Sequence, residues 1–233
     1  MVLYGHMTKL YIVATPIGNL SDITLRAIET LKSVDLILCE DTRVSCRLMD
    51  YYGISTKLMS YHQHSDESKV IFLLNKLKDG VDMALITDAG TPGISDPGNK
   101  LIAEIVDRVS DYCEIIPIPG PSAVTTALSI AGMPTDKFLF LGFIPHKKGR
   151  ETLFARINES QETVVFYEST HRILKTLEKL NELLDKNRRV VVCRELTKKF
   201  ETVYRGNMEE VLQKLQGDMT KGEFVVIIEG NKK

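Results

Sequence analysis

The sequence predicts an α/β protein built as two domains. Three observations carry that expectation. In the first half, short apolar runs alternate with stretches of helical periodicity, joined by loops rich in Gly and Pro, which implies a mostly parallel sheet. At Pro119-Gly120-Pro121 the alternation stops and then begins again. In the second half, short connections near 195–206 allow antiparallel pairing. The expected domains are 1–118, with the mostly parallel sheet, and 119–233, with a mixed one.

"KLYIVATPIGN" reads as a strand, Leu10 to Ala14, breaking into a Pro-Gly loop, and Ser21-Asp22 can cap the helix "ITLRAIETLKSV". "DLILCED" holds the next strand, Leu36 to Cys39, ending in Glu40-Asp41. "TRVSCRLMDYYG" is a helix stopped by Gly53, "KLMSYH" a short strand, and "DESKVIFLLNKLKDG" a helix ending at Gly80. A buried strand ends at Ala84 to Thr87, and 99–110 forms an amphipathic helix. "EIIPIPGPSAV" is a strand, with "SAVTTALSIAG" helical after it. Then come "KFLFLGFI" (strand), "GRETLFARINES" (helix), "TVVFYES" (strand), "THRILKTLEKLNELL" (helix), "RRVVVCREL" and "ETVYRGN" (strands), "NMEEVLQKLQG" (helix) and "EFVVIIEG" (strand).

Composition narrows the function classes. With 43% hydrophobic and 26% charged residues, the 233-residue chain is ordinary globular material. A net charge of −1 provides no global field for nucleic acid, so a polyanion site must be a local patch. Cys39, Cys46, Cys113 and Cys193 form no C-x-x-C pair, which argues against a zinc site or disulfide framework and for a reducing cytoplasm. No apolar run approaches the roughly 20 residues of a membrane span, and the N-terminus lacks the layout of a signal peptide.

The stretch "ALITDAGTPGISDPG", residues 84–98, sits where α/β sheets bind ligands, at the carboxyl end of a strand. Its spacing fits neither a Walker A loop nor a dinucleotide fingerprint. Asp88 and Asp96 would repel a pyrophosphate, and suit a ligand with hydroxyls, an amine or a cationic centre. The plainer alternative is a Gly/Pro turn with Asp96 capping the next helix.

Seven stretches, "VATPIGNLSDITLRA", "CEDTR", "YHQHSDES", "LITDAGTPGISDPG", "IPGPSA", "FYESTHR" and "ELTKKFE", occur in the order seen in a bacterial family. The chain resembles, from Leu10 to Gly230, the small-subunit ribosomal RNA (cytidine-2′-O-)-methyltransferases of the tetrapyrrole methylase superfamily. Longer members carry a C-terminal extension. The resemblance implies two α/β domains of the tetrapyrrole methylase type, S-adenosylmethionine in the cleft between them, and a homodimer. It places Asp88, Ala89, Gly90 and Thr91 on the cofactor, with Ser122 and Ala123 as a second contact stretch. Glu168, Leu196 and Gly222-Glu223 match positions where relatives hold the adenine and methionine ends. Pro16 and Gly18 fill a loop that lies by the acceptor.

Methyl transfer from a sulfonium is an in-line displacement, and a ribose hydroxyl needs help in losing its proton. Asp41 is the candidate proton acceptor or orienting group and Arg43 the candidate phosphate clamp. The alternative is Asp41 capping the next helix, with Arg43 solvated. Lys198 and Glu201 form the second catalytic candidate pair, or else a surface charge pair. His62 and His64 suit substrate hydrogen bonding better than a metal. Lys147, Lys148 and Arg150 in "PHKKGR" can hold phosphates. His171 and Arg172, in the turn after "FYES", are candidate substrate contacts or else helix-start surface residues, and Tyr61 and Tyr167 either stack an extruded base or sit in the core.

The expected function is S-adenosylmethionine-dependent ribose 2′-O-methylation of ribosomal RNA in an assembled small subunit. A tetrapyrrole or other small-molecule acceptor is the first alternative. "TPIGN" in place of a Gly-rich first loop, and the basic "PHKKGR", argue against it. A non-catalytic RNA-binding or ribosome-assembly module is the second.

Overall fold

The computed structural model describes residues 7–63, 65–218 and 221–232. His64 lies outside the described residues. Two compact units divide between Ser122 and Ala123, where the sequence reading divides the chain between 118 and 119.

In the first unit, strands β1 (Thr8–Val13), β2 (Leu36–Cys39), β3 (Lys57–Ser60), β4 (Met83–Leu85) and β5 (Cys113–Ile118) form one sheet in the order β3-β2-β4-β1-β5. Every pairing in it is parallel. Strands buried on both faces read as unbroken apolar runs, as "LILC" and "MAL" do here. Helices α1 (Leu25–Ser33) and α2 (Thr42–Tyr52) cover one face through Ala27, Leu31, Leu48 and Met49. Helices α3 (Glu67–Lys78) and α4 (Asn99–Val109) cover the other through Leu73, Leu77, Leu101 and Ile105. Gly53, left-handed at φ +59, ends α2.

Two caps differ from the sequence reading. Thr24, not Ser21-Asp22, caps α1, its hydroxyl accepting the Ala27 N–H at 3.1 Å. Ser21 and Asp22 instead lie in a 3-10 turn, Leu20–Asp22, capped by Asn19. Asp96 does not cap α4. Gly98 holds that position at φ +140 and, having no side chain, offers the helix N–H groups no cap.

The second unit holds α5 (Ala123–Ser129), β6 (Phe138–Phe143), α6 (Arg150–Glu159), β7 (Thr163–Ser169), α7 (Ile173–Leu183), β8 (Arg189–Arg194), β9 (Thr202–Asn207), α8 (Met208–Gln216) and β10 (Glu223–Ile228). Its sheet runs β6-β7-β10-β8-β9. Only β6 and β7 pair in parallel, and the other three pairings are antiparallel. Helices α6, α7 and α8 bury Phe154, Leu177 and Val211 on one face against Phe166, Val192 and Val226. A capping box between Asn207 and Glu210 starts α8.

Candidate functional site

Because the first sheet is all parallel, the carboxyl ends of its strands share one edge. The edge carries Pro16 and Gly18 after β1, Glu40 to Arg43 after β2, His62 after β3, Asp88 to Thr91 after β4, and Pro121-Ser122 after β5. Thr15 and Gly90 exchange backbone hydrogen bonds of 2.9 and 3.0 Å. The Thr15 hydroxyl donates to the Thr87 carbonyl at 3.0 Å. Thr91 Oγ1 donates to the Pro121 carbonyl at 3.2 Å, and the Asp41 N–H to Asp88 Oδ1 at 3.2 Å. Gly90 is left-handed at φ +85, and a Cβ there would meet Ile17 Cγ2 at 3.5 Å.

Asp41 caps α2, accepting the Arg43 N–H at 2.8 Å. Arg43 also folds its guanidinium onto the same carboxylate, Nη2 to Oδ2 at 2.6 Å, with its own side chain 88% exposed. The Arg43 side-chain hydrogen bond lowers the Asp41 pKa to about 2. A carboxylate held that low is a weak base near neutral pH. Of the two roles open to Asp41, the geometry favours orienting Arg43.

The neighbouring carboxylates move the other way. Burial, followed by the charge of Glu40, raises Asp96 to about 6. Burial also raises Glu40 and Asp88, and Asp88's charge adds to the rise at Glu40. Glu40, inside the quoted motif "CEDTR", was not among the candidate site residues, and Asp96 was read as a ligand-facing carboxylate or else a helix cap, with no catalytic role. Their signal was position, at strand-end loops that the sheet brings together. The edge is acidic and suits a cation. Tyr61 is a core residue at 3% exposure, and exposed His62 accepts the Ser65 N–H at its carbonyl. Among the described residues no group of three or more His, Cys, Asp or Glu is arranged to hold a metal ion.

The second unit gathers its candidates at one edge as well. The carboxyl ends of β6, β7 and β8 and the amino ends of β9 and β10 lie together there, as their pairing directions require. Lys198 Nζ donates to Glu195 Oε1 and Glu223 Oε2, both at 2.9 Å. Burial pulls the ammonium pKa down, but these two hydrogen bonds outweigh it and hold Lys198 above its ordinary value. Glu201 is not its partner in these bonds: Glu201 Oε2 accepts the Thr197 N–H at 2.6 Å. Glu195, three residues before Lys198, is the partner that sequence reasoning missed. Glu195 and Thr197 sit left-handed at φ 52 and 64, flanking buried Leu196. Such strain in non-glycine residues clusters at functional sites. Gly222, at φ +135, is bonded through its N–H and carbonyl to Thr170 Oγ1 at 2.7 and 2.6 Å.

Glu168 has no side-chain exposure. It accepts the Ser169 N–H at 2.8 Å and the Thr176 hydroxyl at 2.7 Å, and pairs with Arg172 at 3.2 Å. Arg172 donates in turn to the Ile144 and Pro145 carbonyls, fixing the loop after β6. Arg150 turns inward, donating to Thr176 Oγ1 at 3.0 Å and lying 5.1 Å over the Phe154 ring. Lys147, Lys148 and His171 remain exposed.

The family model for tetrapyrrole (corrin/porphyrin) methylases matches residues 9–212. "Ribosomal RNA small subunit methyltransferase I" of Escherichia coli O157:H7 is 46% identical over 227 residues, covering 96% of this chain and 78% of the relative. The protein of that name in Bacillus subtilis (strain 168) is 44% identical over 226 residues, 97% of this chain and 76% of its own. Among solved structures, the methyltransferase CobJ matches with a TM-score of 0.70 at 17% identity, covering 96% of this chain and 94% of its own. Diphthine synthase matches with 0.74 at 12%, covering 95% and 90%. At those identities the structural likeness speaks for the fold alone.

Proposed function

The chain belongs to the tetrapyrrole methylase family and, within it, to the ribosomal RNA small subunit methyltransferases I, and from that premise we propose that it moves a methyl group from S-adenosylmethionine to a cytidine ribose 2′-hydroxyl of small-subunit ribosomal RNA. The observation that carries the reading is 46% identity across 96% of the chain.

The residues present fit the cofactor. S-adenosylmethionine, when bound, supplies an electrophilic methyl group on a cationic sulfur. The acidic edge of Glu40, Asp88 and Asp96 matches a cation. Asp88 uses Oδ1 on the Asp41 N–H, which leaves Oδ2 to accept from a hydroxyl or amine. Ala89, Gly90 and Thr91 offer backbone beside it, and the family resemblance adds Ser122-Ala123 and Gly222-Glu223 as further contact stretches. Arg43 serves as the phosphate clamp, held in place by Asp41. Lys198 is a fixed cation, suited to steadying negative charge on an oxygen that gives up its proton. Asp96, at about 6, is the carboxylate best matched to take up a proton near neutral pH.

The substrate in this reading is the assembled small subunit. A net charge of −1 gives weak global attraction, which suits a shaped target over free RNA. The family resemblance supports a homodimer, and the substrate supports a cytoplasmic location. No helix among the described residues is long and apolar enough to cross a membrane.

The test is incubation of the purified chain with labelled S-adenosylmethionine and, separately, 30S subunits, naked ribosomal RNA and porphyrin precursors. Label should enter 30S subunits fastest. Equal or faster labelling of naked RNA overturns the assembled-particle reading, and labelling of porphyrin precursors alone overturns the RNA reading. A monomer mass by light scattering at micromolar concentration overturns the homodimer.

A further inference from the structure

Side chains along β6 alternate between the two faces of the sheet. Leu139 and Leu141 pack on the helix-covered core, so Phe138 and Phe140 point the other way. Continued, the alternation would send Phe143 into the core beside Leu141. A β-bulge prevents this: β6 advances from Phe140 to Phe143 while β7 advances only from Val165 to Tyr167. Gly142, left-handed at φ 60, lies within the bulge. Phe143 therefore stands opposite Tyr167, with ring centroids 5.4 Å apart, and Phe140 meets the same Tyr167 ring at 5.1 Å. Phe143 is left 55% exposed, forgoing the burial that a core position would give it. Bulges of this kind re-aim side chains beside functional sites.

The same strand end leads into the basic loop. Arg172, paired with enclosed Glu168, holds the Ile144 and Pro145 carbonyls, so the first turn of the loop is fixed against the sheet. Lys147 and Lys148 follow, both exposed. Among the described residues no carboxylate pairs with either, whereas Lys198 and Lys232 are both paired. Exposed Phe143, backed by half-buried Tyr167, thus stands four and five residues before two uncommitted cations, at the edge that carries the other candidate residues of this unit.

From this juxtaposition we propose that Phe143 and Tyr167 form a shelf on which an unpaired base of the RNA substrate stacks, while Lys147 and Lys148 hold neighbouring phosphates. The proposal takes the identity of the polymer from the methylation reading and adds the part of it that this surface engages. Stacking on an aromatic face is open to every base, and lysines beside it track the backbone. An apolar protein partner would use the ring and leave the two free cations without a counterpart. An unpaired nucleotide uses both.

The experiment measures binding of the full chain to 30S subunits by cosedimentation without cofactor, beside methyl transfer and calorimetric titration with S-adenosylmethionine. Phe143→Ala should weaken 30S binding about tenfold, with S-adenosylmethionine affinity and oligomer mass unchanged, and Phe143→Trp should restore it. Lys147→Gln with Lys148→Gln should make the salt slope of RNA binding shallower by roughly 1.4, two single-strand phosphate contacts. Unchanged 30S binding by a folded Phe143→Ala chain overturns the shelf. So does a loss confined to cofactor affinity, which would give the ring to the cofactor's adenine. A drop in mass by light scattering, which would make the patch a contact between copies, overturns it as well. Phe143-dependent binding without methyl transfer to any RNA counts against the methylation reading alone. Intact transfer with Phe143-independent binding counts against the shelf alone.

Discussion

The backbone N–H of Asp41 donates to Asp88 Oδ1 at 3.2 Å, tying the loop after β2 to the loop after β4. One oxygen of Asp88 thus serves the fold, and in the proposed function the other accepts from the cofactor. Asp88→Ala should weaken S-adenosylmethionine binding ten- to a hundredfold, about 1.5–3 kcal/mol. Asp88→Asn keeps an acceptor for the Asp41 N–H and should hold the melting temperature while losing part of the affinity. Calorimetric titration beside a thermal melt separates the two effects. Unchanged cofactor affinity in a folded Asp88→Ala chain would make the loop a turn only.

Arg43 is 88% exposed and, among the described residues, held by Asp41 alone, so Arg43→Ala should leave the melting temperature almost unchanged. Methylation of 30S subunits should nonetheless fall more than about tenfold, as loss of a charge-assisted phosphate contact implies. Cofactor affinity should stay within threefold, roughly 0.7 kcal/mol. A tenfold loss of cofactor binding with RNA turnover intact would put Arg43 on the wrong substrate.

Lys198→Ala removes the cation between Glu195 and Glu223. Methyl transfer should fall far more than cofactor affinity. The melting deficit should depend on pH with a definite sign. In the intact protein, burial opposes but the Lys198 hydrogen bond overrides, and Glu195 sits below its ordinary pKa. That stabilises the fold above the unfolded carboxylate range and is lost as pH falls. The variant leaves the Glu195 carboxylate without the cation that favours its charge at pH 7, and protonation relieves this in acid. Melts should therefore show a larger deficit at pH 7 than near pH 4. A deficit that grows in acid contradicts this.

Asp96 is a carboxylate raised to about 6 by burial and the charge of Glu40. Its ionisation penalises the fold increasingly as pH rises from the unfolded carboxylate range to about 6, and fully above that. Asp96→Asn should be the more stable protein at pH 7.5, by on the order of 1 kcal/mol after solvent screening, and no more stable near pH 4. Wild-type methylation should decline below pH 6, and the variant should lose most of its activity. A variant with full activity removes Asp96 from proton transfer.

Gly222 adopts φ +135, and a Cβ there would stand 2.6 Å from Glu195 Cγ. Gly222→Ala should cost about 1–3 kcal/mol in denaturant melts. Its spectroscopic signature should be a changed Lys198 environment, because the clash falls on the carboxylate that holds that ammonium. A stable variant with wild-type activity would show that the loop accommodates the methyl group.

Much of the architecture was legible because its causes are local. The apolar runs "LILC" and "TVVFYES", the helical spacing from 99 to 110, and Gly53 after α2 each respond to chemistry within a few residues. Periodicity and turn residues report that directly. The sequence reading placed its break at Pro119-Gly120-Pro121, whereas the compact units divide after Ser122. Caps were less secure. Ser21-Asp22 and Thr24 are all suitable cap residues, and the choice turned on which N–H the fold left exposed to which oxygen.

The sequence by itself determined the alternation of elements, the parallel first sheet, the mixed second one, and the motifs that mark the family. Tertiary structure alone decided which charges act together. It paired Lys198 with Glu195 and Glu223 in place of Glu201, enclosed Glu168 with Arg172 and Thr176, and drew Arg43 back onto Asp41. It also turned Phe143 out of the core through a bulge that alternation does not foretell. The physical reason is reach. A strand or helix is set by neighbours along the chain, whereas the pKa and aim of a side chain depend on groups tens of residues away, which only sheet register and packing bring within a few ångströms.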